Sequence, residues 1–339
     1  MDAPVKKRLT LNDIAQLTGL SKTTVSMVLN GKSDRFRISP ETQEKVRQVV
    51  EKHGYRANAY AKALQAQRTN VIGLVVPDLT NYGFALTAKT LEKLCRQQGL
   101  YLLIACSDDD PQQEKMVIER LLDRQVDLIV TAPTHQDASY YRKVIKHTPI
   151  VQIDRHIPTL TIPSLASDDT PYIAQLVENI VRAYELNEFY YFGGQLSLSP
   201  SASRLEGFYE GLEQAKLTPT SGWILHKDYQ SESGYEMMKE TVEQLGRLPQ
   251  AVFTGAYTLM EGVLRYLTEH HYTNKVLNGE LVLATFDDHH MLNALPFKVH
   301  SIKQLHEEIA HQAFEMIQAR LQGHKVKNRK IACEIIWRH

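Results

Sequence analysis

Thr10–Gly31, TLNDIAQLTGLSKTTVSMVLNG, carries two short helical patterns broken at a single glycine. Leu11, Ile14, Ala15 and Leu17 give the first pattern an apolar face, Gly19 supplies a corner of positive φ, and Ser21 is placed to cap the second helix. Val25, Val28 and Leu29 bury that second helix, which leaves Lys22, Thr23 and Met27 facing outward at its start and middle. Two helices joined this way form either an ordinary hairpin or a helix-turn-helix, whose second helix lays its first residues against base edges in a major groove.

The charge distribution separates these two readings. Residues 1–70 hold 13 Lys and Arg against 6 Asp and Glu, and the remainder of the chain holds 26 against 33. A neutral total therefore conceals a basic head on an acidic body, a distribution that turns the head toward polyanions. Thr10, Ser21, Thr24, Ser26 and Asn30 join Lys22, Thr23 and Met27 in the expected DNA-facing set. A third helix opens at Ser39-Pro40, carries Val46, Val49 and Val50 on one face, and stops at Gly54. The loop before it, KSDRFRIS, gathers Lys32, Arg35 and Arg37 around Phe36, which suits phosphate contact or groove insertion and equally suits a solvated loop. Ala57–Gln65 forms helix readily but is too short to be stable alone, so it is expected to order only on a surface.

From Val71 the pattern changes to short apolar runs, VIGLVVPDL, YLLIACSD, VDLIVTAP and PIVQID, separated by helical stretches such as 84–98 and 112–124. It restarts near Asp169 with helices over 170–183, 201–215, 233–244 and 259–270 between EFYYFGG, WILHKDY, AVFTG and LVLATFDD. Alternating strands and helices predict an α/β core of two doubly wound parallel sheets. Ligands of such sheets lie at the carboxyl ends of the strands, here in a cleft between two lobes. Asp78, Phe84, Asp154, Arg155, Tyr229, Asp287 and Asp288 all fall just past strand ends. Carboxylate acceptors, arginine donors and aromatic rings suit the hydroxyls and apolar faces of a carbohydrate.

These features together resemble the lactose-repressor/galactose-repressor family of bacterial transcription regulators over essentially the whole chain. The resemblance implies a three-helix head at 1–56, a hinge helix and linker at 57–70, and a periplasmic-binding-protein-like core. Its first lobe would comprise 71–168 with 297–330, VHSIKQ and the helix to Leu321 crossing back to it, and its second lobe 169–296. It also implies that Asn58, Ala61 and Leu64 belong to a hinge that forms on operator DNA, Leu64 being the minor-groove wedge. In the core it implies that Arg204, Asp287 and Tyr229 contact a small effector, with Asp154, Gly83 and Phe84 at other pocket positions. One departure stands out: Ala256-Tyr257 occupies a place where the family commonly has Asn-Asp.

Within the family the sequence resembles the sucrose-operon repressors and, next, the fructose-type catabolite regulators. That implies sucrose, fructose or a fructose phosphate as effector. Ser197, Ser199 and Ser201 enter a helix beside Arg204 and could cradle a phosphate, although helix capping explains one of them as well.

The resulting expectation is a cytoplasmic, nucleoid-associated homodimer that represses sugar-use genes and leaves a palindromic operator when a sugar or sugar phosphate binds. A dual or global regulator is the alternative, and a sugar-modifying enzyme with a DNA-binding head a weaker one. MDAPVKKRL lacks the apolar stretch of a secretory signal, no apolar run approaches a membrane span, and the chain stops at Trp337-Arg338-His339 without a tetramer-forming helix. Cys95, Cys106 and Cys333 are without metal-ligand spacing and read as reduced core thiols. Asp287, Asp288, His289 and His290 are adjacent on a turn and point in different directions, so no metal is expected; nor is any cofactor or catalytic residue.

Overall fold

The computed structural model describes residues 9–55, 68–134 and 137–338. Its compact units divide between Asn70 and Val71. In the first, α1 (Leu11–Thr18) opens with Thr10, whose hydroxyl accepts the Asp13 N–H at 3.3 Å while the Asp13 carboxylate accepts the Thr10 N–H at 2.7 Å. Gly19 ends it at φ 66°. Ser21 caps α2 (Lys22–Leu29), and Ser39 caps α3 (Pro40–His53), which Gly54 closes at φ 60°. Ile14, Ala15, Val25 and Val46 form the buried centre.

Leu17 corrects the sequence reading, because it is 49% exposed and the buried residue of that turn is Thr18. A period of 3.6 residues aligns Leu11, Ile14, Ala15 and Thr18, and the Thr18 hydroxyl is satisfied by donating to the Ile14 carbonyl at 2.8 Å.

The second unit holds two six-stranded sheets. In chain order the first lobe runs β1 (Val71–Val76), α4 (Tyr82–Gln97), β2 (Tyr101–Cys106), α5 (Pro111–Asp123), β3 (Leu128–Thr131), α6 (Ala138–Val144), β4 (Ile150–Ile153) and β5 (Ser164–Ser167). The second runs α7 (Asp169–Ala183), β6 (Tyr190–Gly193), α8 (Ser199–Gln214), β7 (Ile224–His226), α9 (Ser231–Leu245), β8 (Ala251–Thr254), α10 (Tyr257–Glu269), α11 (Thr273–Leu277), β9 (Val282–Phe286) and β10 (Val299–Gln304). Then α12 (His306–Leu321) packs on α4, β11 (Arg329–Ile331) joins the first sheet and β12 (Cys333–Ile336) the second. The orders are β11-β5-β4-β3-β1-β2 and β12-β10-β9-β8-β6-β7, parallel throughout except where β12 runs antiparallel to β10.

VHSIKQ therefore differs from expectation. As β10 it stays in the second sheet, Val299 opposite Leu283 and Gln304 opposite Cys333, and only α12 and β11 return to the first. Val299–Ile302 are buried throughout, so the strand needs neighbours on both sides, and β9 and β12 provide them.

The central strands are short buried runs whose β-branched and aromatic residues pack against helices on both faces, and the parallel strands point their carboxyl ends toward the space between the lobes. Two glycines let α9 and α10 approach closely. A Cβ on Gly262 would lie 1.8 Å from the Ser231 carbonyl oxygen, and one on Gly234 2.0 Å from that of Leu259. Gly262→Ala is expected to destabilise the core by about 1–3 kcal/mol from forced separation, more than the roughly 1 kcal/mol that alanine gains in helix propensity. The thermal midpoint should fall; an unchanged midpoint would mean that the crossing opens freely.

Candidate functional site

A cavity of about 350 Å³ lies between the lobes where the strands end. Asp78, which follows β1, folds back on its own loop and accepts the Thr80 N–H at 2.7 Å. Asn81 caps α4 by accepting the Gly83 N–H at 2.9 Å, and Gly83 is required there because a Cβ would fall 2.5 Å from the His306 ring. Phe84 follows on the same turn. Asp154 leaves β4 at φ 59° and Asp287 leaves β9 at φ 69°; each is a left-handed turn that re-aims the strand end into the cleft. The Asp287 carboxylate accepts from Gln304 Nε2 at 2.6 Å.

Arg204 is the centre of the second lobe's contribution. It projects from α8, is 4% exposed, and donates through Nε to Asp169 at 3.1 Å and through Nη1 to the Gly255 carbonyl at 2.8 Å. Asp154 of the first lobe lies 3.8 Å from its Nη2. Its guanidinium stacks over Phe286 at 4.0 Å, and the Tyr229 ring lies 5.9 Å away. Burial disfavours the charge on Arg204, yet Tyr229 and the carboxylates of Asp169, Asp287 and Asp154 outweigh it and raise its pKa. Burial likewise pushes the Asp169 carboxyl up to about 7 despite the adjacent guanidinium. The Tyr229 hydroxyl pairs with Ser201 Oγ at 2.8 Å.

Asp78, Gly83, Phe84, Asp154, Arg204, Tyr229 and Asp287 thus share one cavity. Ser199 does not line it: its hydroxyl accepts the His156 N–H at 3.0 Å, because the α8 terminus abuts the strand-end loop of the first lobe. Several lining residues went unmarked in the sequence. Asp109 follows β2 and grips Arg155, and His306 follows β10, so the strand-end rule reaches both. Tyr82, Tyr257 and His289 form an aromatic wall, with ring centroids 4.8 Å apart for Tyr82 and His289 and 4.5 Å for Tyr257 and His289. Tyr257, of the Ala256-Tyr257 pair singled out in the sequence, contributes its ring to the lining.

In the head, Thr10, Ser21, Lys22, Thr23 and Asn30 are exposed, and Thr24, Ser26 and Met27 are half-buried. Capping engages the Ser21 hydroxyl, which accepts the Thr24 N–H at 3.0 Å, and Asn30 Nδ2 donates to Ser26 Oγ at 3.2 Å. The basic loop is a folded turn: Phe36 N–H donates to the Lys32 carbonyl at 3.2 Å and Ile38 N–H to that of Ser33 at 3.0 Å. Lys32, Arg35 and Arg37 are exposed around it, Arg35 over the Phe36 ring at 5.8 Å. Asn58, Ala61 and Leu64 lie outside the described residues. Among those described, no helix is long and apolar enough to cross a membrane.

A three-helix reader of nucleic acid joined to a two-lobed α/β receptor defines a ligand-responsive DNA-binding protein. Residues 10–58 match the bacterial regulatory proteins of the lacI family and residues 184–339 the periplasmic binding protein-like domain. The sucrose operon repressor of Klebsiella pneumoniae is 40% identical over 94% of this chain and 93% of its own length. The chain belongs to the LacI family and is a DNA-binding transcriptional regulator. Among solved structures, the Cra transcriptional dual regulator of Pseudomonas putida, in complex with fructose 1-phosphate, is 28% identical, with a TM-score of 0.72 over 80% of this chain and 99% of its own. The lac repressor dimer bound to operator and the anti-inducer ONPF shares the fold, at 20% identity and a TM-score of 0.81 over 98% of each chain.

Proposed function

We propose that this chain is a cytoplasmic, homodimeric, non-enzymatic repressor of sucrose or fructose utilisation genes, released from a palindromic operator by a small sugar or sugar phosphate. The observation that carries this reading is the inter-lobe cavity, where Asp154, Arg204, Tyr229 and Asp287 converge as acceptors, donor and ring. The likeness to a sucrose operon repressor supports the choice of sugar. Lys22 and Thr23 open the recognition helix and read base edges, while Lys32, Arg35 and Arg37 hold phosphates. Asn58, Ala61 and Leu64 form the hinge that pairs and bends the operator centre. Effector binding closes or rotates the lobes, and the altered hinge separation weakens specific binding.

The test is operator binding by anisotropy. Lys22→Ala and Thr23→Ala are expected to lower affinity for the operator by about 1–3 kcal/mol while leaving binding to random duplex nearly unchanged. At least one of sucrose, fructose and fructose 1-phosphate should release the wild-type complex. Equal losses on every duplex would reduce both residues to phosphate contacts, and no release by any of the three would refute the assigned effector class.

A further inference from the structure

The cleft carries a charge balance that bears on which of these effectors it admits. Six carboxylates line it, from Asp78, Asp109, Asp154, Glu261, Asp287 and Asp288, against two arginines, Arg155 and Arg204. A phosphate ester needs cationic donors whose bonds are not already taken. Neither arginine offers its whole fork, since each is already bound to a carboxylate. Arg155, 5% exposed, forks onto Asp109, donates to Thr134 Oγ1 at 3.2 Å and has Nε 3.9 Å from Asp154. Arg204 donates to Asp169 and Gly255, and its Nη2, 3.8 Å from Asp154 and so beyond hydrogen-bond distance, is left to meet one ligand oxygen such as a sugar hydroxyl. Asp288 is neutralised from behind by Arg338 at 2.6 Å, which leaves that cation turned away from the cavity lining.

The other possible anion partners are no better placed. Burial lowers the pKa of His306, which favours its neutral form against the pull of Asp287 and Asp154. Ser199 and Ser201, at the start of α8, are outside the lining, one engaged with His156 and the other with Tyr229. What the cleft does present is hydroxyl acceptors on Asp154 and Asp287, beside the aromatic wall of Tyr82, His289 and Tyr257. Polyol hydroxyls donate to carboxylates, and a sugar's C–H face lies on rings, whereas a dianion would meet uncompensated negative charge.

We propose that the cleft selects an uncharged saccharide and rejects its phosphate ester, and that Asp109 sets this selectivity by occupying the Arg155 guanidinium. The inference rests on the reading of the cleft as the effector site. Asp109 follows β2 at φ 53°, a conformation that asparagine also tolerates, so Asp109→Asn keeps the backbone while releasing the arginine.

The experiment is calorimetric titration of the full chain with fructose, sucrose and fructose 1-phosphate, for wild type and Asp109→Asn, with thermal melts to verify folding. In wild type, fructose or sucrose is expected to bind at least about tenfold more tightly than fructose 1-phosphate, and Asp109→Asn to shift that ratio about tenfold or more toward the ester. Tighter binding of fructose 1-phosphate by wild type would overturn the selectivity. An unchanged ratio in a folded Asp109→Asn would remove Asp109 from it. If that variant does not fold, the wild-type ratio alone decides the selectivity and Asp109→Ser repeats the test of the residue. Binding of none of the three, with operator affinity intact, would overturn the effector reading itself and this inference with it.

Discussion

Arg204→Ala is expected to destabilise the core by about 3–5 kcal/mol, because it removes one partner of a buried ion pair and leaves the other in place. Asp169 is 5% exposed, and its Oδ1 has no hydrogen-bond partner among the described residues even with the arginine present. Without Arg204, Asp169, itself almost shut off from solvent, would face the charges of Asp154 and Asp287. The loss should depend on pH. In the wild type burial already holds the Asp169 carboxyl up at about 7 although the guanidinium lowers it, so losing Arg204 raises it further, and the variant goes on losing stability as pH climbs above 7, where the wild type has levelled off. Urea unfolding of the variant should therefore show a larger deficit at pH 8 than at pH 6. Asp169→Leu combined with Arg204→Met removes both charges, retains most of the volume and should recover much of the stability without restoring the effector response. A single Arg204→Ala variant as stable as wild type at pH 8 would mean that the pair does not hold the lobe together.

That buried pair also illustrates what the sequence conceals. Elements whose signals are local were legible: Gly19, Ser21, Ser39-Pro40 and Gly54 each act within one turn, and the head helices begin and end at them. Core strands were legible because continuous burial leaves no polar alternation. The helices of the core begin about two residues earlier than their apolar periodicity indicates, at Tyr82, Ser199, Ser231 and Tyr257. Their first turns face the cleft or the lobe boundary, where burial against the sheet does not dictate residue type. The lobe membership of VHSIKQ was illegible because a buried strand looks the same in either sheet. Strand-end residues were found because all parallel strands of a lobe point one way, but Asp169, two residues past β5, was missed because Ser164–Ser167 carries no apolar run that marks it as a strand. Leu17 was misplaced because hydrophobicity outweighed period, when a threonine able to bond its own helix filled the buried position.

Ile14→Ala should abolish operator binding while leaving sugar binding by the core intact. Ile14 is fully buried, and it packs with Ala15, Val25 and Val46 in a centre of four buried apolar side chains. Truncating a buried isoleucine costs about 2–5 kcal/mol, and a domain of this size lies at the low end of the roughly 5–15 kcal/mol that holds natural domains folded. The head would then be largely unfolded off DNA, with binding of the operator needed to refold it. Its lysines and arginines would persist, so weak, salt-sensitive attraction to any duplex should remain even as the preference for the operator disappears. The core clusters share no residue with the head cluster, so calorimetric binding of the effector by the same variant should match wild type. Leu17→Ala is the counterpart: at 49% exposure it should change head stability by no more than about 0.5 kcal/mol. Wild-type operator affinity in Ile14→Ala, or a collapse in Leu17→Ala, would invert the assignment of buried and solvent faces on α1 and with it the orientation of the recognition helix that α1 supports.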